Sequence, residues 1–432
     1  MTGSACRPAK HLHGLEPIEL ADALRHLPGM VFFDSAGHLP AGTSPTLSML
    51  AACPRQVLHG SIHEARDRQK LREVVNAGHA QCGDLGIPSG GLAGWVDYEG
   101  QFCFGEYPSM LVYDHTSDRW HETGTLSEQR QDNHESALSI GDFRPRCDRA
   151  WFLESVEKIR QWIAAGDIYQ VNLAQAFEAR VAGGSLFGLY RHLRDSSPAP
   201  MAAWLALAGR EVLCSSPETF LKISGRRIET RPIKGTRPRF HDADDDLRSA
   251  YELQTSAKEI AELVMITDLL RNDIGQVCEF GSVEVEEMLR LESLAQVHHL
   301  VSTVSGRLRQ EVDAVDALAA CFPGGSITGA PKMRAMQIIN ELESAPRGIY
   351  CGAIGWLGYQ GDAQFNIAIR TLVREGASLV YQTGAGIVAD SEPIREYEET
   401  LHKAAGIRMA LQRWQQSHGS ALHSFQDAEP PA

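Results

Sequence analysis

The sequence predicts an α+β fold in which large, mostly antiparallel sheets are flanked by helices. Segments with strand-like patterning come in runs, whereas a doubly wound parallel sheet requires strands and helices to alternate one by one. The Ser-Gly pair at 224–225 marks a hairpin between two of these segments. The 432 residues are also 43% hydrophobic and 22% charged, which is enough for a sizeable buried core.

The elements are clearest after residue 148. Asp148 can cap a helix, apolar residues recur at helical spacing from Phe152 to Ile163, and Gly166 stands where the helix should end. Strands are predicted at 168–178, 201–208, 211–215, 219–223 and 227–231. The remaining elements are helices at about 248–272, 331–343 and 394–414 and strands at 349–358, 364–373 and 378–383.

Polar segments without periodicity predict how the chain is divided. Residues 1–14 and 415–432 are expected to be disordered tails, and residues 126–148 a linker. The linker would separate an N-terminal region, 15–125, from a C-terminal domain, 149–414, which carries all the motifs with chemical content.

The charge balance and the cysteines exclude several classes of protein. Lysine and arginine total 41 against 55 acidic residues, a formal net charge of −14, which argues against a nucleic-acid binder. No apolar run approaches the ~20 residues of a membrane span, and the N-terminus lacks the apolar stretch of a secretory signal, so a cytoplasmic protein is expected. Nine scattered cysteines without a Cys-x-x-Cys pair indicate reduced thiols.

Two predicted helices each carry a pair of carboxylates. Glu259 and Glu262 stand three residues apart, as do Glu396 and Glu399, so each pair lies on one helix face. Facing one another across a cleft, the pairs would supply the hard oxygen ligands that Mg²⁺ prefers. The alternative is solvated helix surface, on which Lys403 pairs with Glu399 at the i+4 position.

A glycine-rich segment, CFPGGSITGAPKMRAM, has the G-x-x-x-x-G spacing of a phosphate-binding loop. It is not a Walker A loop, because Ala330 and Pro331 follow the second glycine where Lys and Ser or Thr are required. It still predicts a turn that leads into a helix, whose free N–H groups can bind a carboxylate or phosphate. A capped loop without a ligand is the alternative.

The segment RPIKGTRPR places Lys234 among Arg231, Arg237 and Arg239. Neighbouring cations, and burial if it occurs, would lower the lysine pKa and favour a nucleophilic amine. A solvated basic loop is the alternative.

Three further signals point to a small anionic substrate. Glu218 ends a strand and could act as a general acid if it is desolvated. Gly384 and Gly386 would let the backbone approach a ligand closely, although a plain tight turn explains them equally well. Arg370, predicted at an inward position on a strand, needs an anionic partner that suits its planar fork.

Ten motifs, in order, resemble one family, the chorismate-utilising enzymes. They are IYQVNLAQAF, SSPETF, TRPIKGTRPR, SAKEIAELVMITDLLRNDIG, VHHLVSTV, FPGGSITGAPKMRAMQIINELE, YCGAIGW, FNIAIRTL, GAGIVADS and REYEETLHKA. The resemblance covers about residues 150–412 and implies that 149–414 is a chorismate-binding catalytic domain with that family's fold. FFDSAGH and GGLAGWVDYEG, within 15–125, resemble the family's N-terminal portion.

The resemblance also implies roles for the residues singled out above. Glu262 and Glu399 would ligate Mg²⁺, with support from Glu259 and Glu396, and the ion would grip the ring carboxylate of the substrate. Residues implied to bind or line the substrate are Gln170, Thr236, His299, Ser326, Tyr350, Arg370, Gly384, Gly386 and Lys403.

Within the family, the chain is most similar to the aminodeoxychorismate synthases. They carry a lysine at the position of Lys234, where anthranilate synthases carry a small residue, and Gln170 stands where isochorismate and salicylate synthases carry a lysine that activates water. The resemblance implies that Lys234 adds to ring position 2 of chorismate while Glu218 helps the 4-hydroxyl to leave. Ammonia would then add at position 4, giving 4-amino-4-deoxychorismate on the route to para-aminobenzoate and folate.

The ammonia implies a partner. The chain contains no Gly-x-Cys-x-Gly nucleophile turn of a glutamine amidotransferase, so a separate glutaminase subunit is expected to release ammonia from glutamine. Two other functions stay open: the first component of anthranilate synthase, and a chorismate-binding subunit without catalytic activity.

Overall fold

The computed structural model describes residues 6–35, 47–79, 87–134, 136–294 and 297–418. These residues form two large sheets, one of 13 strands and one of ten, and every recorded strand pairing is antiparallel. Helices pack on both sheets, so the predicted α+β class is confirmed.

The strands are short at the N-terminus and longest beside the candidate site. In chain order they are β1 (Arg7–Pro8), β2 (Val31–Asp34), β3 (Leu47–Ala51), β4 (Val57–Ser61), β5 (Gly91–Val96), β6 (Gln101–Tyr107), β7 (Met110–Asp114), β8 (Arg119–Thr123), β9 (Leu138–Ile140), β10 (Arg144–Pro145), β11 (Gln170–Gly183), β12 (Met201–Leu207), β13 (Arg210–Ser216), β14 (Thr219–Ser224), β15 (Arg227–Arg231), β16 (Ile233–Pro238), β17 (Glu284–Ser293), β18 (Val297–Arg307), β19 (Gly329–Ala330), β20 (Ala353–Gly358), β21 (Ala363–Ile367), β22 (Thr371–Glu375) and β23 (Ser378–Ile387).

The helices are concentrated after residue 148. They are α1 (Pro17–Leu24), α2 (Ala65–His79), α3 (Arg149–Ala164), α4 (Phe187–Ser196), α5 (Ala243–Thr255), α6 (Ala257–Gly275), α7 (Ala314–Cys321), α8 (Lys332–Leu342), α9 (Pro393–Lys403) and α10 (Ala405–Ser417). None of the helices in the described residues is both long and apolar enough to cross a lipid bilayer.

Both sheets combine strands from before residue 126 and after residue 148. In the larger sheet β2 pairs with β12, and in the smaller one β5 pairs with β20. The buried core is shared in the same way, since the ring of Phe104 meets that of Phe365 edge to face at 6.1 Å. The N-terminal region therefore packs as part of the same sheets as the C-terminal domain.

The ends of the chain differ from the predicted tails over residues 6–14 and 415–418. Strand β1 pairs with β8, Leu12 is fully buried behind it, and α10 continues to Ser417. Residues 1–5 and 419–432 lie outside the described residues, as do the last three residues of FFDSAGH. Within the predicted linker, β9 and β10 both pair with β11.

Several predicted elements are confirmed and three are divided. Helix α3 is capped by Asp148, whose carboxylate accepts from the N–H of Trp151 at 2.8 Å, and β14 and β15 form the predicted hairpin. The helix predicted at 248–272 is two helices, because the Ser256 hydroxyl caps a new one, accepting from the N–H of Glu259. The predicted helix at 394–414 breaks at Ala404, and the predicted strand at 364–373 ends before Arg370.

Candidate active site

The sequence-predicted residues come mainly from strands of both sheets and from helices α6 and α9. Strands β11 and β23 pair so that Asn172 lies opposite Gly386 and Ala174 opposite Gly384. In the other sheet β16 pairs with β18, which places Thr236 opposite His299. Helices α6 and α9 bring the four carboxylates to the same place, as the charge interactions described below show.

Glu218 lies in the short connection between β13 and β14 and is 5% exposed. Its N–H donates to the Ser216 hydroxyl, and its carbonyl accepts from the N–H of Ile367, so the backbone is fixed on both sides. Burial raises the pKa of the Glu218 carboxyl to about 7, against the opposing effects of a hydrogen bond from Ser326 and the charges of Lys234 and Lys403. A carboxyl in this state can donate a proton at neutral pH.

Lys234 stands in β16, half-buried, and its ammonium acts on carboxylates from three elements. Its positive charge lowers the pKa of Glu218, Glu262 and Glu399. The next residue, Gly235, has a left-handed φ of +69° at an irregularity in the pairing with β18, and a Cβ there would come within 3.2 Å of a Glu259 oxygen. Glycine therefore lets β16 approach the carboxylate-bearing helix α6.

The three arginines near Lys234 in sequence do not form the expected cluster of cations around it. Arg231 pairs with Glu292, Arg239 with Asp246, and the Arg237 guanidinium lies 3.7 Å from Glu259. The prediction that neighbouring cations activate Lys234 is wrong in this respect. Each arginine has its own carboxylate, and carboxylates also surround the lysine.

All four predicted carboxylates lie near enough to Lys258 to raise its pKa, but only Glu396 is buried. The Glu399 side chain is 43% exposed and pairs with Lys403, as the surface alternative predicts. Glu396 is 3% exposed, and one of its oxygens accepts from the Ser391 hydroxyl at 2.6 Å. Burial raises the pKa of Glu262, with a further contribution from the negative charges of Glu259 and Glu399. Burial acts on Glu399 in the same direction, but nearby lysines, Lys403 foremost, outweigh it and lower the pKa of Glu399.

The donor set fits Mg²⁺. The other oxygen of Glu396 is buried and has no hydrogen-bond partner among the residues that the structure describes, and Glu262 lies beside two like charges. A cation would relieve both conditions. Among the described residues no three ligating groups converge closely enough to enclose a metal ion. Lysines take the counter-charge role instead: Lys403 lies 2.7 Å from Glu399, and Lys258 lies 3.5 Å from Glu396.

Arg370 and His299 form another part of the site. Arg370 has a left-handed φ of +50° between β21 and β22, not the inward strand position that the sequence predicts. Across the described part of the chain its guanidinium makes no recorded hydrogen bond or ion pair, and desolvation lowers its pKa. A partly exposed arginine with a left-handed φ and no partner in the described residues is suited to an anionic ligand.

His299 lies next to that arginine and is 2% exposed. Its Nδ1 lies 3.2 Å from the Gly235 carbonyl and 3.1 Å from the hydroxyl of the exposed Thr236, whereas its buried Nε2 has no partner within the residues described. Burial, with the positive charge of Arg370, lowers the pKa of His299 to about 4. A neutral imidazole therefore presents one free nitrogen to the site.

A further part of the site is made by β11, β23 and the residue Tyr350. Gln170 is 1% exposed, its amide oxygen has no partner among the described residues, and its amide nitrogen lies where a Cβ on Gly386 would be, at 2.3 Å. A Cβ on Gly384 would come within 3.2 Å of the Tyr350 hydroxyl, and the Gly384 carbonyl accepts from Lys403 at 3.0 Å. Close packing against the Gln170 and Tyr350 side chains therefore accounts for the two glycines, and a plain tight turn does not.

The glycine-rich segment contributes Ser326 to the site. Residues Gly325–Ile327 form a 3₁₀ turn, and the Thr328 hydroxyl ties it back to the Gly324 carbonyl at 3.1 Å. Ser326, 8% exposed, donates to Glu218 from this turn. Helix α8 then begins at Lys332, as the sequence predicts.

Two charged residues that the structure places behind the site were missed. Lys258 precedes Glu262 by one helical turn, a spacing that could have revealed it as the counter-charge of the acidic pair. Arg347 is 2% exposed and pairs with Glu343 at 2.7 Å, again at i+4 spacing, but nothing in the sequence indicates its burial.

The chain is similar to known proteins in both sequence and structure. A family model described as chorismate binding enzyme matches residues 37–409. Aminodeoxychorismate synthase component 1 of Bacillus subtilis (strain 168) is 45% identical over 274 residues, 63% of this chain and 58% of that protein. Anthranilate synthase component 1 of Streptomyces coelicolor is 48% identical over 265 residues, 61% of this chain and 52% of that protein.

The chain therefore spans between half and three fifths of the length of these two relatives. Among solved structures, anthranilate synthase component I from Streptococcus pneumoniae TIGR4 superposes with a TM-score of 0.74 at 31% identity, covering 86% of this chain and 94% of that one.

Proposed function

The chain belongs to the chorismate binding enzyme family, and from that membership we propose that it aminates chorismate to 4-amino-4-deoxychorismate. The observation that carries this reaction is the position of Lys234, whose charge acts directly on the buried carboxyl of Glu218. An amine beside a protonated carboxyl supplies a nucleophile and an acid for the loss of a hydroxyl group.

The proposed chemistry has two substitutions. In the first, the ammonium of Lys234 releases a proton to solvent and the resulting amine forms a C–N bond at ring position 2. The ring double bonds shift, and the 4-hydroxyl leaves as water with the proton of Glu218. In the second, ammonia forms a bond at position 4, the double bonds shift back, and the C–N bond to Lys234 breaks to restore the lysine. Each step forms one bond and breaks one, and Glu218 regains its proton from the added ammonia.

Substrate binding is proposed to use Arg370 and the group of four carboxylates. Arg370, which has no anionic partner within the described residues, would bind one carboxylate of chorismate, with the Tyr350 hydroxyl beside it. Glu262 and Glu399, supported by Glu259 and Glu396, would hold Mg²⁺. That ion would neutralise the other carboxylate of the substrate and so orient the ring.

The relatives include both aminodeoxychorismate and anthranilate synthase components at similar identity. Anthranilate formation is therefore the second candidate, and it requires elimination of pyruvate after amination. Lys234 favours the first candidate, because a covalent lysine adduct leads to amination at position 4.

The nitrogen source is proposed to be a separate glutamine amidotransferase subunit. The 432 residues contain no Gly-x-Cys-x-Gly turn that could house the cysteine nucleophile of such an activity. Ammonium at high concentration should replace that subunit in solution.

The decisive experiment incubates the purified chain with chorismate, Mg²⁺ and ammonium and identifies the products by mass spectrometry. Aminodeoxychorismate without anthranilate supports the proposal. Anthranilate together with pyruvate would replace it by the second candidate, and chorismate binding without any turnover would indicate a non-catalytic subunit.

A further inference from the structure

Arg347 lies behind the candidate site and contacts the segments that carry its residues. Its side chain is 2% exposed. One terminal nitrogen of the guanidinium donates to the carbonyl of Ile327 at 3.0 Å, and the other donates to the carbonyl of Asn172 at 2.7 Å. A single planar group thus bridges the glycine-rich turn and the start of β11.

Those two carbonyls stand next to residues of the site. Ile327 directly follows Ser326, which hydrogen-bonds with Glu218, and Asn172 is two residues after Gln170. Arg347 itself is three residues before Tyr350.

The backbone of Arg347 forms two further hydrogen bonds, to β23 and to the turn after β5. Its carbonyl accepts from the amide of Gln382 at 2.6 Å, two residues before Gly384 in β23. Its N–H donates to the Glu99 carboxylate at 2.8 Å, which fixes the turn after β5.

The orientation of the guanidinium is set by two other groups. Glu343 accepts from it with both oxygens, at 2.9 and 2.7 Å, and the ring of Tyr98 lies 4.6 Å from its centre. Glu343 also accepts from the N–H of Ala174 in β11 at 3.0 Å. The arginine is therefore held in one plane, with its remaining donors directed at the two carbonyls.

We propose that Arg347 is a positioning residue for the reaction: it holds the glycine-rich turn against β11 so that Ser326, Gln170 and Tyr350 converge on the substrate. The inference rests on the proposed function for the identity of the substrate. It does not depend on which product is formed.

A readout specific to this role is the pKa of Glu218. The groups that act on its carboxyl are Ser326 on the turn, Lys234 on β16 and Lys403 at the end of α9, and Glu218 in turn raises the pKa of the buried Cys351 thiol. Arg347 is not among the groups that act on Glu218. A change at Arg347 therefore reaches Glu218 through the Ser326 hydrogen bond, whose loss raises the pKa of Glu218.

The test compares Arg347→Lys with Arg194→Lys in the full chain. Lysine keeps the charge, but its ammonium cannot donate hydrogen bonds to Glu343 and to both backbone carbonyls at once. Arg194 is a matched control, because its guanidinium pairs at 2.6 Å with the fully buried Asp34 side chain and the groups that act on it include no predicted site residue. The measurements are chorismate consumption against pH, chorismate affinity by calorimetry, and thermal unfolding.

For Arg347→Lys we expect kcat to fall about tenfold and chorismate to bind about tenfold more weakly. The rate of chorismate consumption should decline at high pH as Glu218 loses its proton, and the midpoint of this decline, the alkaline limb, should rise by about 0.5 pH. Arg194→Lys should lower the unfolding temperature without changing the limb or the affinity. A folded Arg347→Lys protein with wild-type limb and affinity would overturn the proposal.

Glu343→Gln keeps the proposal testable if Arg347→Lys does not fold. The glutamine places an N–H₂ group against a guanidinium donor, so the arginine plane tilts while its charge is kept. The limb and the affinity should change in the same direction by a smaller amount, about twofold to threefold in rate. No change in a folded Glu343→Gln protein would equally overturn the proposal.

The same experiment separates this inference from the proposed function. Anthranilate from the wild-type chain would overturn the proposed function and leave the Arg347 comparison valid, because that comparison uses chorismate consumption and binding. Aminodeoxychorismate with an unchanged limb in both variants would overturn the role of Arg347 alone.

Discussion

The positive charge of Lys234 acts on the carboxyl of Glu218 inside the candidate site: burial raises the pKa of Glu218 to about 7, and the lysine charge limits that rise. The carboxyl is 5% exposed, so the interaction is little screened by solvent. An acid that is part-protonated at neutral pH thus stands beside an amine, which is the pair that the proposed first step requires.

Replacing Lys234 by alanine should leave a folded protein that binds chorismate but forms aminated product about a thousandfold more slowly, because no amine remains to form the covalent intermediate. Single-turnover measurements with chorismate and ammonium test this. Lys158→Ala, at an exposed position on α3, is the matched control and should behave as wild type. A Lys234→Ala protein with wild-type turnover would remove the covalent step.

The pH dependence of the wild-type rate should show an alkaline limb. Only the protonated form of Glu218 can donate to the leaving hydroxyl, so chorismate consumption should decline as the pH rises through about 7. Glu218→Gln should lose the limb together with at least about a hundredfold of the rate. A wild-type rate that stays level up to pH 9 would show that Glu218 is not the acid.

Glu218 should also lower the stability of the folded chain at alkaline pH. Its folded pKa of about 7 lies above the 4.5 of an ordinary glutamate, so the unfolded state gives up the proton first as the pH rises. The free energy of unfolding should therefore fall between about pH 4.5 and 7, by roughly 3 kcal/mol from this group. Glu218→Gln should be more stable than wild type at pH 8 but not at pH 4.

Denaturant unfolding at the two pH values measures that difference. Glu398→Gln, at an exposed position on α9, is a suitable control and should show no pH-dependent change in relative stability. Equal stabilities of Glu218→Gln and wild type at pH 8 would mean that burial does not raise the Glu218 pKa.

Much of the fold could be predicted because its signals are local. Alternation of apolar residues marked the strands from β11 to β15, and Asp148 with Gly166 marked both ends of α3. The division between α5 and α6 also had a local signal, the capping box Ser256-x-x-Glu259, which the helical periodicity obscured. The break before Arg370 had none, since its carbonyl is held by the N–H of Ser215, more than 150 residues earlier.

The candidate site could be predicted only as a set of residue types. Spacing placed Glu396 and Glu399 on one helix face, but the burial of Glu396 depends on tertiary packing, and the approach of Lys258 to it joins residues 138 positions apart. Likewise, the partners of Arg231 and Arg239 are carboxylates brought in by β17 and α5. Arginines that are clustered in the sequence therefore each pair with a different carboxylate in the folded chain.

Gly386→Ala should weaken chorismate binding without unfolding the chain. The added Cβ would lie 2.3 Å from the Gln170 amide nitrogen, so that side chain must move into the space of the substrate. We expect the dissociation constant for chorismate to rise about tenfold, as calorimetry would measure. Gly275→Ala, where a Cβ meets nothing within 4 Å, is the control, and equal affinities of the two variants would contradict the proposed place of Gln170.

Changing Glu399 to glutamine should raise the Mg²⁺ concentration needed for half-maximal activity by about tenfold or more, because a neutral amide oxygen is a weaker ligand for a hard cation. The same change removes the ionic partner of Lys403, which lies 2.7 Å away, while the hydrogen bond from Lys403 to the Gly384 carbonyl remains. Mg²⁺ binding measured by calorimetry separates these effects from turnover. Glu398→Gln, one position away and exposed, should keep wild-type affinity, and wild-type Mg²⁺ affinity in Glu399→Gln would assign the ion to other residues.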